Sequence, residues 1–271
     1  MYLKEVNRLF FAFMLMAPAA RAADTGSFQA EYDGFSHGLL VLKMSASLTL
    51  TPGSYAGRLA YHTAGMVGWM VHNNIDTSVT GTFDGDRAVP VSFDSGGDLR
   101  HVTHTVHMHY QDGSPVIDTL VPTVDQPRSP VTPQMTAHSI DTLAAIASLI
   151  RQVGAKGTCD GSATVFDGRR VSRLTAHTVG DDMLPKTDRS KFAGQALRCD
   201  FDGDQLGGFV QSESLAAQQR TRHGTAWLAK AVPGGPPVPV KVIFENKALG
   251  QVTLYLTGVS GAPGPVASRV Q

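Results

Sequence analysis

Six Asp-Gly dipeptides, beginning at Asp33, Asp84, Asp112, Asp160, Asp167 and Asp202, punctuate the chain. Asp-Gly supplies the positive φ angles that tight hairpin turns need, and most of these pairs stand beside strand-like runs. Thr164 to Phe166 precedes Asp167-Gly168, and Val171 to Val179 follows it. Val240 to Phe244 and Gln251 to Leu256 flank Asn246-Lys247 in the same way. Further runs lie at Phe28–Tyr32, Leu39–Leu50, Tyr55–His62, Gly68–Val79, Val89–Phe93 and Val102–Tyr110. Strands at this spacing predict a mainly β protein, a strongly curved antiparallel sheet or a half-open barrel or spiral.

One segment departs from the pattern. Ser139 can cap a helix, and Ile140, Leu143, Ile146, Ala147, Ile150 and Val153 follow at helical spacing, with Gly154 able to end it. A single helix over 139–153 cannot build its own core, so it must lie on the sheet or plug the open end of a barrel. Pro122, Pro127, Pro130 and Pro133 form a stiff crossing before the helix, and Val232 to Pro237 forms a second. The expected organisation is one β-rich domain over 23–257 with the helix inserted. A disordered Gly/Ala/Pro-rich tail over 258–271 completes it.

The first 22 residues read as a secretory signal: Lys4 and Arg8, an apolar run from Leu9 to Ala17, then Ala20-Arg21-Ala22. That run is too short to span a bilayer, and no transmembrane segment is expected in the mature chain. The expected location is therefore the periplasm. An even pair of cysteines, Cys159 and Cys199, reads as one disulfide in that oxidising compartment. Closing such a loop contributes about 4 kcal/mol on the chain-entropy model. A redox or metal pair is the competing reading, without Cys-x-x-Cys spacing to support it.

The 23 basic and 23 acidic side chains balance, which excludes a strongly basic nucleic-acid binder, and no nucleic-acid partner is expected. His101, His104, His107 and His109 fall in one strand-like run. His107 and His109 share a face and are the candidate metal ligands, although no third ligand or supporting shell is identifiable. Asp200, Asp202 and Asp204 imitate the opening of a calcium loop, but Gln205 and Gln211 stand where it needs Gly and Glu. Phe166-Asp167-Gly168-Arg169-Arg170 reads as a hairpin turn whose Asp167, Gly168, Arg169 and Arg170 form a structural turn and ion pair. There is no Gly-x-Ser-x-Gly, His-Glu-x-x-His, Walker or dinucleotide motif, so no catalytic residue and no cofactor are assigned.

Several of these features occur together in a known pattern. Tyr32-Asp33-Gly34-Phe35-Ser36-His37-Gly38, Pro90, Asp141, Cys159, the Phe166 to Arg170 turn, Cys199, Gly207-Gly208-Phe209, Pro239-Val240 and Gly250 to Leu256 form the set. The arrangement resembles the bacterial exported family catalogued as domain of unknown function 3108, over nearly the whole mature chain. In architecture it is similar to periplasmic envelope-integrity β-spiral proteins, whose sheet curls around a helix and carries a disulfide. The resemblance implies export, a disulfide and a β-rich fold, and brings no catalytic residues. The expected role is a non-catalytic cell-envelope protein, with a sheet groove able to bind a lipid-like apolar small molecule or a peptide. The alternatives are an envelope scaffold that binds another envelope protein, and a cell-wall or lipid hydrolase with a Ser or carboxylate beside a His.

Overall fold

The computed structural model describes residues 25–123 and 126–263; the expected signal segment 1–22 lies outside them. Strand alternation decides which side chains go inside. In β1 (Gly26–Ser36), Phe28, Ala30 and Tyr32 are buried while Gln29 and Glu31 face water. The first half continues with β2 (Leu39–Leu50), β3 (Ser54–Thr63), β4 (Asn73–Asp84), β5 (Arg87–Leu99), β6 (Val102–Gln111) and β7 (Ser114–Val121); the alternation is clear in part of β6, where Val106 and Met108 are buried between exposed histidines, and is lost in β7, which buries no residue. The second half supplies β8 (Gly161–Phe166), β9 (Val171–Leu184), β10 (Gly194–Gly207), β11 (Arg222–Ala229), β12 (Val238–Asn246) and β13 (Gly250–Pro263).

All thirteen strands form one antiparallel sheet in the order β7-β6-β5-β4-β3-β2-β1-β13-β12-β11-β10-β9-β8. Two meanders are thus sewn together by the pairing of the first strand with the last, from Gly26 opposite Pro263 to Phe35 opposite Thr253. Curvature brings the outer strands β7 and β8 toward each other, and the sheet becomes a nearly closed barrel. The chain between them seals the gap. Ile140 makes a parallel bridge to Val165 of β8, and the His138 amide reaches Ser114 Oγ at the start of β7. Gly168, at φ 89°, lets the β8–β9 turn press onto the Val106 side chain of β6, where any Cβ would come within 2.7 Å.

Four helices occur among the described residues rather than one: α1 (Gly65–Met70), α2 (Pro133–Thr136), α3 (Thr142–Lys156) and α4 (Leu215–Gln219). The long one, α3, begins and ends later than the expected 139–153. Asp141, not Ser139, is its N-cap, because Asp141 Oδ1 accepts from the Ala144 amide at 2.7 Å. Ser139 turns its hydroxyl back to Thr136 O, and Ile140 is committed to β8. Gly154 stays helical, and Gly157 at φ 70° ends the helix. The expected strand over Gly68–Val79 begins only at Asn73, with α1 taking Gly68–Met70, and β7 and β11 appear without having been anticipated. Of the tail expected to be disordered over 258–271, residues 258–263 instead continue β13, with Gly258 opposite Glu31, and 264–271 lie outside the described residues. An unpaired β1 edge at that point is what the added pairing removes.

Candidate functional site

Helix α3 carries two apolar stripes about half a turn apart, and they meet different walls of the barrel. Ala144, Ala147, Ser148 and Arg151 face β3–β5. Ala144 and Ala147 are fully buried, and the Ala88 amide donates to Ser148 Oγ at 2.7 Å. The Arg151 guanidinium donates to Thr51 O at 3.1 Å and Pro52 O at 2.9 Å, and lies 4.2 Å over the Phe83 ring. This charge is kept inside because backbone carbonyls and an aromatic face replace its water.

Asp141 fixes the start of the helix from within the core. Its carboxylate is fully buried, and Tyr110 OH donates toward Oδ2 at 3.4 Å. Burial raises its pKa to about 6, against the lowering effect of the helix amides. Burial, and then the nearby Asp141 charge, push the Tyr55 and Tyr110 phenols well above their ordinary range. Sequence spacing could not have found this cluster, since its members come from β3, β6 and the strap before α3.

The second stripe, Thr142, Ala145, Ile146 and Leu149, does not meet a packed wall. Between it, the start of β5 and the β8–β12 wall runs a cavity of about 810 Å³, within the range that encloses small organic ligands. Its far side is built from Leu174, Ala176, Phe201, Ala226, Leu228 and Val242. Ala176 and Ala226 leave space between the larger side chains of this wall, and Ile146 remains 37% exposed. Asp86, Arg87 and His138 mark the polar rim. Asp86 is already engaged, 2.7 Å from Lys156 Nζ and 3.8 Å from Arg151 Nε. A broader cleft of about 840 Å³ on the sheet near α4 is lined mainly by polar and charged groups that satisfy one another. Arg220 meets Glu245 at 2.6 Å, His223 meets Asp202 at 2.6 Å, and Thr225 donates to Asp200 at 2.7 Å.

Cys159 and Cys199 form a disulfide, with Cα atoms 6.2 Å apart, and both line the groove. The bond ties the chain leaving α3 to β10. Asp167 Oδ1 accepts from the Arg169 and Arg170 amides, its Oδ2 accepts from Arg170 Nε at 2.9 Å, and Arg169 Nη2 reaches Pro122 O. The turn thereby clips β8–β9 to the end of β7.

The candidate metal ligands are drawn to different partners. His107 lies opposite Asp94 of β5, 2.6 Å away, whereas His109 bonds Asp118 at 2.9 Å, a residue displaced by a bulge in β7. His101 is not on the strand; with Arg100 it forms the β5–β6 turn at positive φ. Asp200, Asp202 and Asp204 each engage a separate partner, Arg198 and Thr225, His223, and Thr221. Among the described residues no group of three or more His, Cys, Asp or Glu side chains gathers around a common point. Ser36 Oγ contacts His37 Nδ1 at 3.0 Å but donates to Leu249 O, and no carboxylate extends that pair among the described residues.

A model of the family described as Protein of unknown function (DUF3108) matches residues 27–257. The chain belongs to this family. None of the curated proteins matches it. The DUF3108 chain is similar in structure to the beta-barrel-like protein of domain of unknown function DUF1849 from Brucella abortus. That crystal structure aligns with a TM-score of 0.51 at 12% identity, covering 88% of this chain and 99% of the other. At that identity the likeness is one of fold. Among the described residues of the DUF3108 chain, no helix is long and apolar enough to cross a membrane.

Proposed function

We propose that this protein is a non-catalytic, exported envelope protein that holds an apolar or amphipathic small molecule in the groove between α3 and the β8–β12 wall. The observation that carries the reading is the second apolar stripe of α3. An amphipathic helix on a barrel interior ordinarily packs its apolar face to protein density. Here Thr142, Ala145, Ile146 and Leu149 look instead into about 810 Å³ lined largely by hydrocarbon. Arg87 and His138 at the rim suit a polar or anionic head group on such a ligand. The disulfide pairing of Cys159 with Cys199 supports the exported part of the reading, since such bonds persist in oxidising compartments such as the periplasm.

Titration with the environment-sensitive dye N-phenyl-1-naphthylamine tests it. The wild-type protein is expected to enhance the dye's emission, and long-chain fatty acid to displace it. Ile146→Asp, at a position already in contact with solvent, should abolish the enhancement with little change in Tm. A wild-type protein that leaves the dye dark, or an Ile146→Asp variant that binds it equally well, contradicts the proposal.

A further inference from the structure

We infer that the ligand of the groove is an N-acyl amino acid, whose aminoacyl unit pairs with the free edge of β8 while its acyl chain fills the apolar space. The inference rests on the groove being the binding site proposed above, and names the chemistry that this site selects.

Strand β8 ends the sheet, so one of its edges has no strand beside it. The strap before α3 supplies the missing pairing at a single point. The Ile140 amide donates to Thr164 O at 3.0 Å, and Ile140 O accepts from the Phe166 amide at 2.8 Å, a parallel bridge. Those two bonds fix the direction of the main-chain groups: even-numbered residues of β8 turn theirs outward, and odd-numbered ones turn theirs to β9. One step back along the edge, the Ser162 carbonyl and the Thr164 N–H therefore repeat the arrangement that holds Ile140. The strap does not reach them. The Ser139 amide and hydroxyl both donate back to Thr136 O, and His138, at φ 57°, turns its amide to Ser114 Oγ. Among the described residues no group bonds the Ser162 carbonyl or the Thr164 N–H. Residues 161–164 line the groove instead.

Two such groups call for an N–H and a C=O on either side of one extended carbon. An amino-acid unit opposite Ala163 provides both, donating its N–H to Ser162 O and accepting from the Thr164 N–H at its carboxylate. Main-chain pairing of this kind is how an added strand gains affinity at a sheet edge. A fatty acid has no N–H to give. The unit's side chain falls on the face of Ala163, which with Gly161 lies opposite Leu174 and Ala176 of the groove wall. These small β8 residues leave room there for an apolar side chain. The edge then runs out of acceptors, because Asp160 O already takes Gln152 Nε2 at 2.8 Å. A second peptide unit would leave its N–H unmatched at that point, whereas a hydrocarbon chain needs no partner.

Competition against N-phenyl-1-naphthylamine separates this inference from the groove reading beneath it. N-lauroyl-leucine should displace the dye at a concentration at least about threefold lower than a saturated fatty acid of equal length, or than N-lauroyl-N-methylleucine, which lacks the N–H. Thr164→Pro removes the outward N–H and no bond to β9, so it should keep its Tm. It should bind N-lauroyl-leucine more weakly by a similar factor and bind the fatty acid as before. Equal displacement by N-lauroyl-leucine and its N-methyl analogue, or full affinity for N-lauroyl-leucine in Thr164→Pro, would overturn the inference and leave the groove reading standing. The N-methyl comparison uses the wild-type protein and decides the matter should the variant fail to fold. A dye that stays dark overturns both. N-acetyl-leucyl-leucyl-leucine displacing the dye as well as N-lauroyl-leucine would overturn the choice of an acyl chain.

Discussion

Helix α3 has a closed side and an open side. Toward β3–β5 it presents two fully buried alanines, a hydroxyl bonded to a strand amide, and a guanidinium bonded to turn carbonyls. Toward β8–β12 it presents Ile146 and Leu149 across a groove to Ala176, Ala226 and other residues too small or too distant to fill it. The open side of the helix carries the larger apolar side chains, so its failure to pack lies in the wall it faces. Hydrogen bonds from α3 hold one wall close. The other is held by a disulfide and a turn at its margins, which leaves its middle free of contacts.

The largest effect should come from cutting the margin of the open side. Replacing Cys159 and Cys199 with Ser is expected to lower stability by about 2–5 kcal/mol. Thermal melting measures it, and hydrogen exchange should rise in β8–β10 more than in β3–β5. A uniform rise would mean that the two walls are not independent.

The closed side should reveal itself through pH. Asp141 has a raised pKa in the folded state, about 6, against an unfolded value of about 3.9, so the folded protein binds the extra proton between those limits. Stability therefore falls as pH rises through that window, by about 2–3 kcal/mol from this group. Asn also caps helices, so Asp141→Asn should keep α3 and remove this component. Subtracting the variant's Tm–pH curve from that of wild type measures it, and a flat difference would place Asp141 in contact with water.

Packing distinguishes the sides at finer scale. Ala147→Leu pushes three carbons into the closed wall and should cost about 1–3 kcal/mol. Ala145→Leu points into the groove and should change stability by less than about 0.5 kcal/mol while narrowing the space for dye. Equal costs at the two positions, read from denaturant unfolding, would show that the groove closes in solution.

Much of the barrel was readable from local chemistry. Asp84-Gly85, Asp112-Gly113 and Asp167-Gly168 do make hairpin turns, and the strand runs beside them follow from alternation. Asp33-Gly34 and Asp202-Gly203 lie inside β1 and β10, where pairing on both flanks overrides a turn preference, and Asp160-Gly161 opens the outer strand β8. β7 was hidden by Pro115, and α1 by an apolar run that reads equally well as strand. The disulfide and the Asp167 turn were legible because each rests on residue chemistry and short spacing or an even count. The Asp–His pairs were not, since they depend on register and, for Asp118, on a bulge. The groove was the least legible of all. It is formed by residues on several strands, among them Ala176 and Ala226, facing a helix stripe that periodicity alone assigns to the core.

Native mass spectrometry of the protein, purified without detergent from the cells that make it, tests the groove most directly. The account predicts a discrete added mass of one small apolar molecule, removed by organic solvent and missing from Ile146→Asp. A wild-type spectrum showing only the bare chain, under conditions that preserve the fold, would contradict it.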